Sequence, residues 1–154
     1  MTEISFHFNA ADKVAYACRL LRKAVNGGAR VVVAGEAPVL GQLDAALWTF
    51  SPLDFIPHCF ENAGAGMVAA SPVVLEVLPG KGTQTASNPI HGQVLLNLGA
   101  RVPDGFERFE RLIEAVGTDD EDRQVARDRW KHYASRGYAL TRHDVAASTT
   151  PVAA

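Results

Sequence analysis

Cysteine is scarce in this 154-residue chain, with Cys18 and Cys59 the two thiols, and neither belongs to a CxxC or to a Cys/His set with zinc-ligand spacing. His58 and Cys59 are adjacent, which does not build a tetrahedral site, so no structural metal is expected. Two cysteines could pair only once, and a reducing compartment keeps them as thiols, so no disulfide is expected either. Long apolar runs are also missing. None approaches the roughly 20 residues that a membrane helix needs, and MTEISFHFNA lacks the basic-then-apolar pattern of a signal peptide. The expectation is a cytoplasmic protein. Charge of one sign does not dominate: 15 Lys and Arg stand against 17 Asp and Glu, a formal net charge of -2. That balance argues against wrapping duplex DNA by global electrostatics, since neutralising phosphates needs a basic excess on some surface. Any basic site must be local.

What is present is enough apolar material, 47% of the chain, to bury one core but not two. A single domain over 1–145 is expected, with 146–154, rich in Ala, Ser, Thr and Pro, as a disordered tail. Residues 3–8 alternate, with Ile4, Phe6 and Phe8 on one side, which is the period of a half-buried strand. Residues 12–25 place Val14, Ala17, Cys18, Leu21 and Val25 at helical spacing, and Gly27-Gly28 supplies the left-handed residue that ends helices. The β-branched run at 30–34 (Val31, Val32, Val33) reads as a parallel strand covered on both faces. A second helix follows, with Pro38 in its first turn and Leu40, Leu43 and Leu47 inward.

Strand, helix, strand, helix with short connections gives right-handed crossovers, so the expected architecture is a three-layer α/β/α sandwich around a mostly parallel sheet. It is Rossmann-like without a nucleotide motif. Residues 62–66 read as a loose Ala/Gly-rich segment and 79–92 as a polar loop, with strands at 73–78 and 93–98. The FERLIEAV stretch at 109–116 suits a strand or a helix. The last periodic element runs from Asp119 to about Arg136.

Such a sheet invites a nucleotide, yet the glycines do not cradle phosphate. Gly80-Lys81-Gly82-Thr83 lacks the GxxxxGK[ST] spacing, and Gly64 and Gly66 precede a strand when they should lie between a strand and a helix. Five histidines (His7, His58, His91, His132, His143) could supply a general base, but none belongs to a GxSxG or Cys/His nucleophile signature. No catalytic residue and no cofactor is therefore assigned. A small-molecule or nucleotide-binding α/β enzyme remains the alternative reading.

The last helix carries the strongest signal. Thr118 followed by Glu121 fits a capping box, and Asp119, Asp120, Glu121 and Asp122 crowd the positive end of the helix dipole. From 123 to 142 six bases face one acid, Asp128, in a chain that is net negative. At about 100° per residue, Arg123, Arg127, Trp130 and Lys131 share one stripe while Arg129 and Arg136 point elsewhere. One reading is a solvated face with Trp130 tucked into the core. The other is a site for a short acidic peptide, with cations for carboxylates and the indole bordering an apolar slot. Direct binding of single-stranded DNA by this stripe is disfavoured, since stacking platforms need several aromatics and only Tyr133 or Tyr138 could join Trp130. Earlier in the chain, Trp48 and Phe55-Ile56-Pro57-His58 suggest an aromatic and an imidazole at a rigid turn, either packed or offered to a partner.

With ARDRWKHYASRGY at 126–138, LDAALWTFSPLDFIPH at 43–58, and VLLNLG followed by FERFERLIEAV within 94–116, the chain resembles the chi subunit of bacterial DNA polymerase III holoenzyme over nearly its whole length. The resemblance implies a non-catalytic adaptor. Such a protein joins the clamp-loader assembly through the small psi subunit and binds the acidic C-terminal tail of single-stranded DNA-binding protein, so that DNA is contacted only indirectly. The implied tail-binding positions are Val116, Arg123, Arg127, Trp130 and Lys131, and the implied psi-facing positions are Trp48, Phe55, Pro57 and His58. Trp130 stands where better-known members carry tyrosine, Ala134 where some have another base, and Cys59 where asparagine is more usual.

Overall fold

A computed structural model of the chain describes residues 2–49, 56–60, 64–78, 93–103 and 105–146. The elements are β1 (Glu3–Ala10), α1 (Lys13–Asn26), β2 (Val31–Glu36), α2 (Ala37–Thr49), β3 (His58–Phe60), α3 (Ala65–Ala70), β4 (Val73–Leu78), β5 (Val94–Asn97), β6 (Arg111–Gly117), α4 (Asp120–Ser135) and β7 (Leu140–Asp144). The strands form one sheet in the order β3-β4-β2-β5-β6-β1-β7, and every pairing between them is parallel. Each strand thus needs a crossover that returns the chain to the same end, and the helices supply the outer layers. The three-layer α/β arrangement is the one expected from the sequence.

Alternation decides which residue meets which layer. Val31, Val33, Leu75, Leu96, Ile113 and Ala115 face α1 and α2, where Ala17, Cys18, Leu21, Leu40, Leu43 and Leu47 close the core. Ile4, Phe6, Val32, Leu95, Leu112 and Val116 face the other way and pack against Ala126 and Tyr133 of α4 and against Phe106 and Phe109. Both thiols are buried and unbridged. The helix at 12–25 is capped by Asp12, whose side chain accepts from the Ala15 N–H at 3.1 Å, and Gly28 takes φ +85° just past its end.

Four sequence readings are corrected or resolved. The stretch 109–116 is a strand from Arg111 to Gly117, because β5 and β1 pair with it on both sides, an environment no helix could satisfy. Part of the Ala/Gly-rich segment is helical: Ala65–Ala70 makes a short turn closed by Met67 N–H to Gly64 O and Ser71 N–H to Met67 O, as alanine's high helix propensity permits. The cap of α4 is Asp119 and not Thr118, since the Asp119 side chain accepts from Asp122 N–H at 3.1 Å. Two strands were not anticipated: the three-residue β3, in a stretch read as a turn, and β7, whose LTRHD sequence is largely exposed and is held mainly by backbone pairing to β1. The loop expected over 79–92 and the tail from 147 onward lie outside the described residues.

On the α1 side of β1, His7 is half-buried, hydrogen-bonded through Nδ1 to the Tyr16 hydroxyl and tilted against His143 at 5.0 Å between ring centroids. Burial first, then the charges of His143 and Arg111, push its pKa down to about 4. The unfolded chain binds the extra proton between about 6.5 and about 4, so this histidine's contribution to stability is complete above the upper value and is lost as pH falls through the window. Chemical denaturation followed from neutral pH down through that window is expected to show a one-proton decline that His7→Asn lacks. An identical pH slope in the variant would contradict this assignment.

Candidate functional site

The site is set by how α4 meets the sheet. Asp122 in its first turn accepts the Gly117 N–H at 2.6 Å and pairs with Lys13 Nζ at 3.3 Å, and Lys13 also donates to Leu98 O at 3.1 Å. The helix start is thereby tied to the ends of β6 and α1. Further along, Arg129 and Tyr133 turn inward to Glu114 on β6, which is wholly buried. Arg129 Nε donates to Glu114 Oε1 at 3.1 Å, Asn97 Nδ2 donates to the same oxygen at 2.8 Å, and the Tyr133 hydroxyl donates to Oε2. Burial raises the Glu114 pKa, and the Arg129 charge with these hydrogen bonds opposes the rise without cancelling it. Burial and the neighbouring carboxylate likewise drive the Tyr133 phenol upward.

With Ala126, Arg129 and Tyr133 inside, the next stripe of the helix lies on the rim, and it carries Arg123, Arg127, Trp130 and Lys131. These four and Val116 line one cavity of about 520 Å³, so the structure brings together all five residues singled out as the tail-binding set. Phe6, Phe8, Val116 and Ala126 supply its apolar surface. Trp130 is neither sealed in the core nor free in solvent: it is half-buried, edge-on to Phe6 at 5.1 Å and 61°. Arg123, Arg127, Lys131 and Arg142 are exposed around it, and among the described residues none of them is paired with a carboxylate. The described lining contains no imidazole, thiol or carboxylate. Its chemistry is that of a receptor for an anion bearing an apolar group.

Several contributors were not singled out from the sequence as part of this site. Phe6 and Phe8 were legible as the apolar side of β1 but not as cavity wall, and Arg142 was counted as a base without a strand to place it. Asn9 left no pattern at all. It interrupts the β1 register in the left-handed region at φ +64°, where its Oδ1 accepts from Arg123 Nη2 at 2.9 Å and its Nδ2 donates to Asp144 at 3.2 Å. Asparagine tolerates that backbone better than other side-chain-bearing residues.

The second set of expected residues lies toward the opposite edge of the sheet, by β3. Trp48 is 60% exposed and stands edge-on to His58 at 5.2 Å. The His58 ring itself is enclosed, with Nε2 3.0 Å from Asp44 Oδ1 and Nδ1 2.7 Å from Ile56 O, so it braces Trp48 and does not reach the surface. Pro57 is exposed, and Phe55 lies outside the described residues. With six strand spacings of about 4.8 Å across the sheet, the two edges lie roughly 30 Å apart.

The family model described as "DNA polymerase III chi subunit, HolC" matches residues 1–141. The chain is 34% identical over 149 residues to the DNA polymerase III subunit chi of Pseudomonas aeruginosa, covering 93% of this chain and 96% of that protein. It is 26% identical over 130 residues to the subunit chi of Haemophilus influenzae (84% and 85% covered) and 28% identical over 124 residues to that of Escherichia coli K12 (80% and 79% covered).

The geometry at Asn9 yields a direct test. Asn9→Val and Asn9→Gly both remove the amide contacts, but the valine also forces a β-branched residue into the left-handed region. It is expected to cost about 1–2 kcal/mol more in thermal unfolding, and equal stability of the two variants would show that the backbone there is not constrained.

Proposed function

The chain belongs to the DNA polymerase III chi subunit family, whose members are accessory subunits of the replication polymerase, and on that premise we propose that it is a non-catalytic, cytoplasmic adaptor whose α4 cavity takes the acidic C-terminal tail of single-stranded DNA-binding protein. The observation that carries this reading is the joining of an open indole-walled slot to four cations that no carboxylate of the described residues neutralises. In this mechanism the tail's terminal carboxylate and nearby aspartates meet Arg123, Arg127 and Lys131, with Arg142 facing them from β7. The tail's hydrophobic side chain inserts beside Trp130, over Phe8 and Val116. Asn9 holds Arg123 at the mouth.

The far end of the same sheet would provide the second contact, to the clamp loader through psi. An exposed tryptophan braced by an enclosed histidine, beside an exposed proline, is the kind of rigid aromatic anchor that dominates protein interfaces. Trp48 and Pro57 would make the contact, with Phe55 beside them in sequence, while His58 would act through Trp48. Two contacts toward opposite edges of one sheet would make a bridge.

Calorimetry with a synthetic acidic tail peptide tests the first contact. Exposed charges are screened within about 8 Å at physiological salt, so affinity is expected to fall as salt rises. Trp130→Ala is expected to cost about 2 kcal/mol or more, and Arg127→Ala to weaken binding further. Undiminished affinity in the double variant would remove the site from α4.

A further inference from the structure

The tail cavity occupies one face of the sheet near its β7 edge; the other face there is differently built. α1 packs over β2 and β6, and the strip of sheet beyond it, formed by β1 and β7, presents Ser5, His7, Thr141 and His143 to a groove of about 840 Å³. Arg19 and Lys23 of α1 and Arg111 at the start of β6 border this groove. All three are exposed, and among the described residues none of them pairs with a carboxylate. The described lining contains no Asp or Glu; Glu3, in register with Arg111, stands outside it.

The floor at the β1–β7 strip offers donors and rings. Thr141 donates to Ser5 Oγ at 3.0 Å, leaving the Ser5 proton for an outside acceptor, and the His143 imidazole is exposed. The Arg19 guanidinium lies 5.7 Å from the centre of the Tyr16 ring, and the two imidazoles of His7 and His143 lie side by side. Apolar surface is present as well: Leu20, Ala24, Ala29 and Val94 are half-buried along the groove, while Leu21, Leu96 and Ile113 are buried between α1 and the sheet. The exposed cations and the rings beside them set the chemistry of this face. A chain of phosphates with flat bases fits it well, because cations track the backbone while rings accept stacking.

We propose that the groove between α1 and the β1–β7 edge binds the backbone of single-stranded nucleic acid, with Arg19, Lys23 and Arg111 on phosphates and Tyr16 and His143 against bases. This site lies on the other face of the sheet from the α4 cavity, the two linings sharing Arg142 of the edge strand, and it does not depend on the function proposed for that cavity. A phosphate settling over His7 would also offset the positive charges of Arg111 and His143 that hold its proton affinity down.

The test is fluorescence anisotropy of a labelled oligodeoxythymidine strand with the full chain, over a range of salt concentrations. Wild-type binding is expected at low salt, falling as salt rises. Arg19→Gln with Lys23→Gln is expected to weaken it about tenfold and to flatten the slope of log K against log salt by about 1.4, since single strands release roughly 0.7 counterion per neutralised phosphate. The same variant is expected to keep its fold by circular dichroism and its affinity for an acidic tail peptide. In the wild type, the oligonucleotide is expected to raise the His7 pKa followed by NMR, and saturating tail peptide is expected to leave the strand bound. The proposal is overturned if no strand binds at low salt, if the double variant binds like wild type, if the tail peptide displaces the strand, or if the groove variant loses an acidic peptide in place of DNA.

Discussion

One buried ion pair sets the orientation on which the site depends. Glu114 has no contact with solvent, and its carboxyl is met by Arg129, Asn97 and Tyr133, while Arg129 also donates to Ala100 O at 2.9 Å. Taking such charges out of water is expensive, and removing one partner from a buried pair typically costs about 3–5 kcal/mol because the other charge is left uncompensated. The value of this cluster is therefore geometric more than energetic. Residues 129 and 133 lie one turn apart on α4, so holding both inward fixes the helix's rotation about its own axis. Trp130 then has to lie at the boundary between core and solvent, with Arg123, Arg127 and Lys131 around it.

The same rotation separates two kinds of arginine that the sequence shows as a single basic run. Arg129 is spent inside the protein on Glu114, whereas Arg123 and Arg127 have their heads at the surface. Phe6, edge-on to Trp130 and to Tyr133, links the buried cluster to the cavity wall, so the indole is packed on one side and open on the other. A half-packed aromatic loses little freedom on binding, which favours a receptor for a flexible chain end. The parallel sheet ties this cavity to the Trp48 edge through seven hydrogen-bonded strands, so the two contacts of the proposed adaptor would be held at a constant separation.

Much of this was legible because hydrophobic periodicity survives wherever an element buries a face. Alternation in Ile4, Phe6 and Phe8, the valine run of β2, and the spacing of Leu40, Leu43 and Leu47 each named an element and its inward side. The helical spacing of Arg123, Arg127, Trp130 and Lys131 likewise placed four of the cavity's residues on one stripe. What escaped had no burial to announce it. β7 has Leu140 as its one apolar residue and is held mainly by its ladder to β1, so Arg142 reached the site unseen. Asn9 acts through a backbone angle, and no spacing rule encodes that. Thr118 and Asp119 are adjacent residues of equal capping chemistry; the choice fell to Asp119 because Asp122, three residues on, is positioned by Gly117 and Lys13.

The central claim is that the Trp130 indole is the contact surface for an anionic chain end. The most direct measurement is the NMR signal of its side-chain N–H as single-stranded DNA-binding protein is added in intact form and with its C-terminal tail removed. The account predicts that the Trp130 signal shifts with the intact protein only, while that of Trp48 stays in place. A Trp130 signal unmoved by the intact protein, or moved equally by the truncated one, would contradict it.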